Sequence, residues 1–103
     1  MFIVRIILTL RATHRGAFQE FVRSEGLKIR QLSGCIDYSF LEDVSDPARV
    51  LLYEEWSSRG QFEAYKASAS FEAVGGRLRP MLAGPPQSAY YESDDVFASC
   101  AVR

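Results

Sequence analysis

Histidine and cysteine are nearly missing from this chain. One histidine, His14, and two cysteines, Cys35 and Cys100, are scattered through 103 residues, so no metal-ligand spacing appears and no disulfide framework is available. Free thiols in a reducing cytoplasm are the expectation. Charge of one sign is lacking too: the net charge is −1 and like charges form no block, which argues against nucleic acid or an anionic membrane as a partner. No apolar run approaches the ~18 residues of a membrane span. The opening M-F-I-V-R-I-I-L-T-L is interrupted by Arg5 and is followed by charge rather than a small-residue cleavage site, unlike a secretory leader. A phosphate-cradling glycine loop is also absent, so no metal, nucleotide or flavin cofactor is expected.

Apolar material, by contrast, is plentiful. At 48% hydrophobic and 13% aromatic residues, the chain can build one domain around a single core. Its organising stretch is R-V-L-L-Y-E-E-W, Arg49 to Trp56, entered from a turn signal at Asp46-Pro47 and left through Ser57-Ser58. Side chains alternate along a strand, so Val50, Leu52, Glu54 and Trp56 share one face while Leu51, Tyr53 and Glu55 share the other. Both faces are largely apolar. A strand of that kind is covered on both sides, and in a short chain one cover has to come from a second copy.

In chain order, Phe2 to Arg11 reads as a first strand with Val4, Ile6, Leu8 and Leu10 on one face and a mixed face carrying Arg5 opposite. Thr13 is a plausible cap for a helix from Arg15 to about Leu32, whose apolar stripe is Phe18, Phe21, Val22, Ile29 and Leu32. Gly26 predicts a kink or break there, and Ser33-Gly34 a stop. Cys35 to Glu42 is a second strand that alternates Ile36, Tyr38 and Phe40 against Cys35, Asp37, Ser39 and Leu41, and Asp43 to Ala48, with Asp46-Pro47, is a turn between antiparallel neighbours. A second helix capped by Ser58 carries Phe62, Tyr65, Ala69, Phe71 and Val74, with a break before Phe71 and weakening at Gly75-Gly76. Gly84-Pro85-Pro86 ends it, and Gln87 to Ser93 alternates as a fourth strand.

This order predicts an α+β, ferredoxin-like β-α-β-β-α-β sandwich over residues 1–93, with a tail, 94–103, apolar enough to dock on a partner subunit. Both helices cover one sheet face. The other would remain wet in a monomer, so a face-to-face homodimer is expected, closing a dimeric α+β barrel.

The segments G-C-I-D-Y-S-F-L-E-D, D-P-A-R-V-L-L-Y-E-E-W-S-S-R-G-Q-F-E-A-Y, S-A-S-F-E-A-V and L-A-G-P-P-Q-S-A-Y-Y-E together resemble the antibiotic biosynthesis monooxygenase superfamily of dimeric α+β barrels. The E-x-W strand end at Glu54 and Trp56 and the aromatic Phe71 are its best markers. The resemblance implies cofactor-free oxygenation of phenolic, quinol or anthrone substrates, or haem degradation. In the polyketide branch Trp56 matches, but the asparagine expected four residues earlier is Leu52 and the tyrosine six residues later is Phe62. Gly75-Gly76 stands where haem-degrading relatives place a ligand histidine, and Tyr65 and Ser70 replace histidines common around the second helix.

The residues expected to carry chemistry are therefore Trp56 as pocket wall, Tyr65 as a hydroxyl able to hold or deprotonate a phenol, and His14 as a general base at the pocket mouth. Phe62, Phe71 and Tyr38 would contact substrate. Arg77, one of two arginines ending the second helix with Arg79, would steady a substrate oxyanion. Asp37 and Glu54 are read as needing salt-bridge partners, Arg5 or Arg49 across the sheet. Two functions are compatible with this set. One is a cytoplasmic, cofactor-independent monooxygenase acting on a small phenolic, quinol or polyketide-type aromatic; the other is a non-catalytic dimer binding a small aromatic ligand.

Overall fold

The computed structural model describes residues 1–94. Four strands and three helices follow the predicted order: β1 (Phe2–Thr9), α1 (Arg15–Arg30), β2 (Cys35–Asp43), β3 (Asp46–Trp56), α2 (Arg59–Lys66), α3 (Ala69–Leu78) and β4 (Gln87–Glu92). The strands form one antiparallel sheet in the order β2-β3-β1-β4. This is the ferredoxin-like α+β fold. Docking of the tail, and Cys100 with it, falls outside the described residues.

Period-two alternation decides which side of the sheet meets the helices. Val50, Leu52, Glu54 and Trp56 of β3 are buried with Phe2, Val4 and Leu8 of β1, and they meet Phe18, Phe21, Ile29, Phe62, Tyr65, Val74 and Leu78 from the helices. Each fully buried aliphatic or aromatic side chain contributes about 1.5–3 kcal/mol. The opposite face carries Ile3, Ile7, Leu51 and Tyr53 half-buried, with Leu41 51% and Tyr91 45% exposed. There Arg5 donates to the Tyr91 hydroxyl at 3.3 Å, and the Tyr53 hydroxyl donates to Glu55.

Several local expectations are corrected. Gly26 is buried inside α1, and the helix runs through it without a break; tertiary packing outweighs the propensity cost of about 1 kcal/mol. Thr13 does not cap α1. Its hydroxyl contacts the His14 ring, and His14 holds the cap position without a side-chain bond. The turn expected over Asp43 to Ala48 is confined to its first half: Asp46-Pro47 already lies within β3, and the chain reverses at Val44-Ser45, where the Asp43 carboxylate takes the backbone N–H and hydroxyl of Ser45. A proline at the start of a strand is tolerated. The expected break before Phe71 is present, the second helix dividing at Ala67-Ser68, where the Ser68 hydroxyl caps α3 by accepting from Phe71 N–H, and Ser58 caps α2 as expected by accepting from Gln61 N–H. Gly75-Gly76 does not end α3, which continues to Leu78 before a 3-10 turn over Arg79–Met81.

A bulge at Ile36 changes the expected alternation of β2. Cys35 pairs with Trp56 and Asp37 with Glu55, leaving Ile36 as the extra residue, 57% exposed, while Tyr38 turns to the core. Gly34 feeds this bulge at φ +82°, and a Cβ there would lie 2.6 Å from the Gln61 side chain. Only glycine meets both demands without strain.

Candidate active site

Between the helices and the sheet lies a cavity of about 170 Å³ with a predominantly apolar wall. Its floor is set by sheet register. Glu54 on β3 stands opposite Tyr38 on β2 and Val4 on β1, all on the helix-facing side. Tyr65 of α2 and Phe71 of α3 close the roof, with Phe62 beside them. Lys66, Arg79, Ser88 and Tyr90 stand nearer the rim.

Glu54 is the one buried charged side chain among the described residues, at 2% exposure. Trp56, two residues along the same strand face, donates its indole N–H to the Glu54 carboxyl at 2.9 Å. Burial disfavours the charged form and raises the Glu54 pKa to about 7; the indole bond opposes the rise. The expected salt bridges do not form. Arg49 pairs with Asp43 at 3.7 Å, Arg5 turns to Tyr91, and Asp37 accepts from the Ser39 hydroxyl.

The two phenols are held protonated. Burial raises Tyr65 to about 12, with Glu54 adding to the rise and Tyr38 opposing it; burial raises Tyr38 still further, helped by Tyr65 and Glu54. Near neutral pH the cavity thus offers one group that titrates and a pair of phenols in which Tyr38 donates to Tyr65, leaving the Tyr65 hydroxyl as the donor. That combination can take a proton and steady the oxyanion left behind. Aromatic contacts fix the geometry: Tyr65 stacks on Trp56 at 5.1 Å and meets Phe71 edge-on at 5.4 Å.

Tyr38, Tyr65, Phe62 and Phe71 are brought together around the cavity. Trp56 stands behind it, reaching it through Glu54 and Tyr65. His14 precedes α1, and its ring contacts Thr13 outside the cavity wall. Arg77 also lies elsewhere, bonded to Glu25 at 2.6 Å and stacked over the Phe21 ring; Arg79 takes the position at the cavity. Glu54 is the candidate group that pattern reading takes only for half of an ion pair. Its signal was a lone carboxylate among Val50, Leu52 and Trp56 on the core face.

Among the described residues no helix is long and apolar enough to cross a membrane. The fold has close structural counterparts. A protein from Nitrosomonas europaea, provisionally named an antibiotic biosynthesis monooxygenase, superposes with a TM-score of 0.83 at 22% identity, covering 90% of this chain and 98% of its own. One from Deinococcus radiodurans with the same provisional name gives 0.84 at 23%, covering 92% and 94%. A conserved protein from Methanosarcina mazei Go1 gives 0.81 at 20%, covering 91% and 95%. A search of curated proteins found no match. The family model for antibiotic biosynthesis monooxygenases matches residues 1–76, and the chain belongs to that family.

Proposed function

We propose that this protein is a cofactor-independent monooxygenase of a small single-ring phenol or quinol, working as a homodimer. The observation that carries the reading is Glu54: a carboxyl buried at the floor of an apolar cavity, titrating near neutrality, beside the hydroxyl-bonded pair Tyr38 and Tyr65. A general base works best with a pKa close to the operating pH. Volume narrows the substrate. An engineered apolar cavity of about 150 Å³ holds benzene, so about 170 Å³ suits one ring and favours it over a fused polyketide.

Glu54 takes the phenolic proton, and Tyr65, whose hydroxyl accepts from Tyr38, donates to the resulting oxyanion. Electron density then resides partly on a ring carbon, which bonds to O2 to give a peroxide that Glu54 reprotonates. Loss of the ring C–H proton with O–O cleavage leaves a carbonyl and releases water. The phenol loses four electrons on becoming a quinone and O2 gains four, one oxygen atom being retained and the other leaving as water. The protein supplies desolvation, orientation and charge stabilisation while the substrate supplies the electrons.

The homodimer reading rests on the outer sheet face, where Leu41 and Tyr91 stand exposed beside half-buried Leu51 and Tyr53, apolar side chains that a second copy would cover. A cytoplasmic setting fits Cys35, a free, half-buried thiol whose pKa burial pushes up to about 11, with Glu54 adding to the rise. The test is oxygen uptake with a panel of one-ring quinols, without added flavin or metal. Turnover that Glu54→Gln abolishes supports the reading. Ring binding without any uptake would instead identify a non-catalytic binder.

A further inference from the structure

The cavity rim holds two cations that the proposed chemistry leaves unused. Arg15, Arg23, Arg49 and Arg77 each pair with a carboxylate, whereas Arg79 and Lys66 make no ion pair among the described residues. Both line the cavity. Lys66 closes α2 with its ammonium 5.8 Å from the Tyr90 ring centre, and Glu63 and Glu92 share the adjoining groove with it. Arg79 follows α3 directly and is the less compensated of the two.

A second observation shows that the Arg79 head is accommodated there. Its guanidinium lies across Gly75, one turn earlier in the helix: a Cβ on Gly75 would stand 2.9 Å from Nη1 and 3.4 Å from Cζ. A glycine inside a helix is unfavourable in itself. At this position it leaves the slot through which a planar guanidinium reaches the cavity. An arginine fork presents paired donors suited to a carboxylate or phosphate.

We infer that the substrate carries an anionic substituent, a carboxylate or a phosphate, which Arg79 and secondarily Lys66 bind at the rim while the ring occupies the cavity. The inference rests on the site proposed above and adds an orientation to it. An anion is repelled by Glu54 at the floor and drawn to the two rim cations. The substrate therefore enters with its anionic group outward, and the hydroxyl remote from that group meets Glu54. A para-hydroxyaryl acid or phosphate satisfies this arrangement.

Binding can be read without turnover from the fluorescence of Trp56, the sole tryptophan. The probes are 4-hydroxyphenylacetate against its neutral amide, and 4-hydroxyphenyl phosphate against hydroquinone. Each anion should bind about tenfold tighter than its neutral counterpart, the scale of one charge-assisted hydrogen bond, and high salt should narrow the gap. A preference confined to one pair identifies which anion the rim takes. Gly75→Ala moves the guanidinium while keeping its charge; it should erase the preference, leave amide binding intact and leave the melting temperature equal or higher. Arg79→Gln should do the same to binding. Equal affinity for anion and neutral probe, no binding of either, or a preference that survives Gly75→Ala would overturn the inference. Anion preference without oxygen uptake would overturn only the monooxygenase reading.

Discussion

Replacing Glu54 by glutamine should make the protein more stable, and increasingly so as pH rises. The direction follows from the raised pKa. Above 4.5 the unfolded chain releases this proton, while the folded protein holds it until about pH 7. The folded state therefore binds more protons in that window, and stability falls as pH climbs through it, with the full penalty present above the folded value. Raising a carboxyl from 4.5 to about 7 corresponds to about 3 kcal/mol in all, of which about 2.5 kcal/mol accrues between pH 5 and pH 8. Glutamine carries no such charge, and its carbonyl can still accept the Trp56 indole N–H. Urea unfolding of both proteins by far-UV circular dichroism, at one protein concentration and at pH 5, 6, 7 and 8, isolates the effect because other titrating groups cancel in the difference. The glutamine variant should gain on the parent at each step while losing oxygen uptake by about 10²–10⁴-fold. Parallel stability profiles would refute the buried-carboxyl argument, whatever the activity.

Trp56→Phe removes the donor that favours ionised Glu54, so the midpoint of the pH–rate profile should rise by about one unit, the equivalent of one hydrogen bond; an unmoved midpoint would detach the indole from the base. Gly34→Ala should lower stability by about 2 kcal/mol in urea unfolding, because it combines a left-handed backbone with a Cβ driven against Gln61. Leu51→Asp places a charge at the centre of the outer sheet face and should convert the dimer to monomer in sedimentation velocity; a parent that already sediments as a monomer would refute the dimer reading.

The alternation of Val50, Leu52, Glu54 and Trp56 and the helical stripes through Phe18, Phe21 and Ile29 were sufficient to read the architecture, since each pattern states which face is buried. Boundaries were less legible where two local signals competed. Asp43 and Asp46-Pro47 both announce a turn, and the carboxylate bonds to Ser45 decide for the first. The site was half legible. Tyr38, Tyr65, Phe62 and Phe71 follow from their faces, but the choice between Arg77 and Arg79 depends on helical phase just where α3 passes into a 3-10 turn. Glu54 was read as half of an ion pair because sequence cannot show an indole reaching back along the same strand.

The bulge at Ile36 has a further bearing on how the protein behaves in a crowded solution. β2 is a marginal strand, and marginal strands present regularly spaced amides and carbonyls that can zip onto a neighbour's strand without limit. One extra residue breaks that spacing near the strand's start, so an incoming segment cannot stay in step along its length. The irregularity that turns Ile36 out of the core thus also guards the molecule against fibrous self-association.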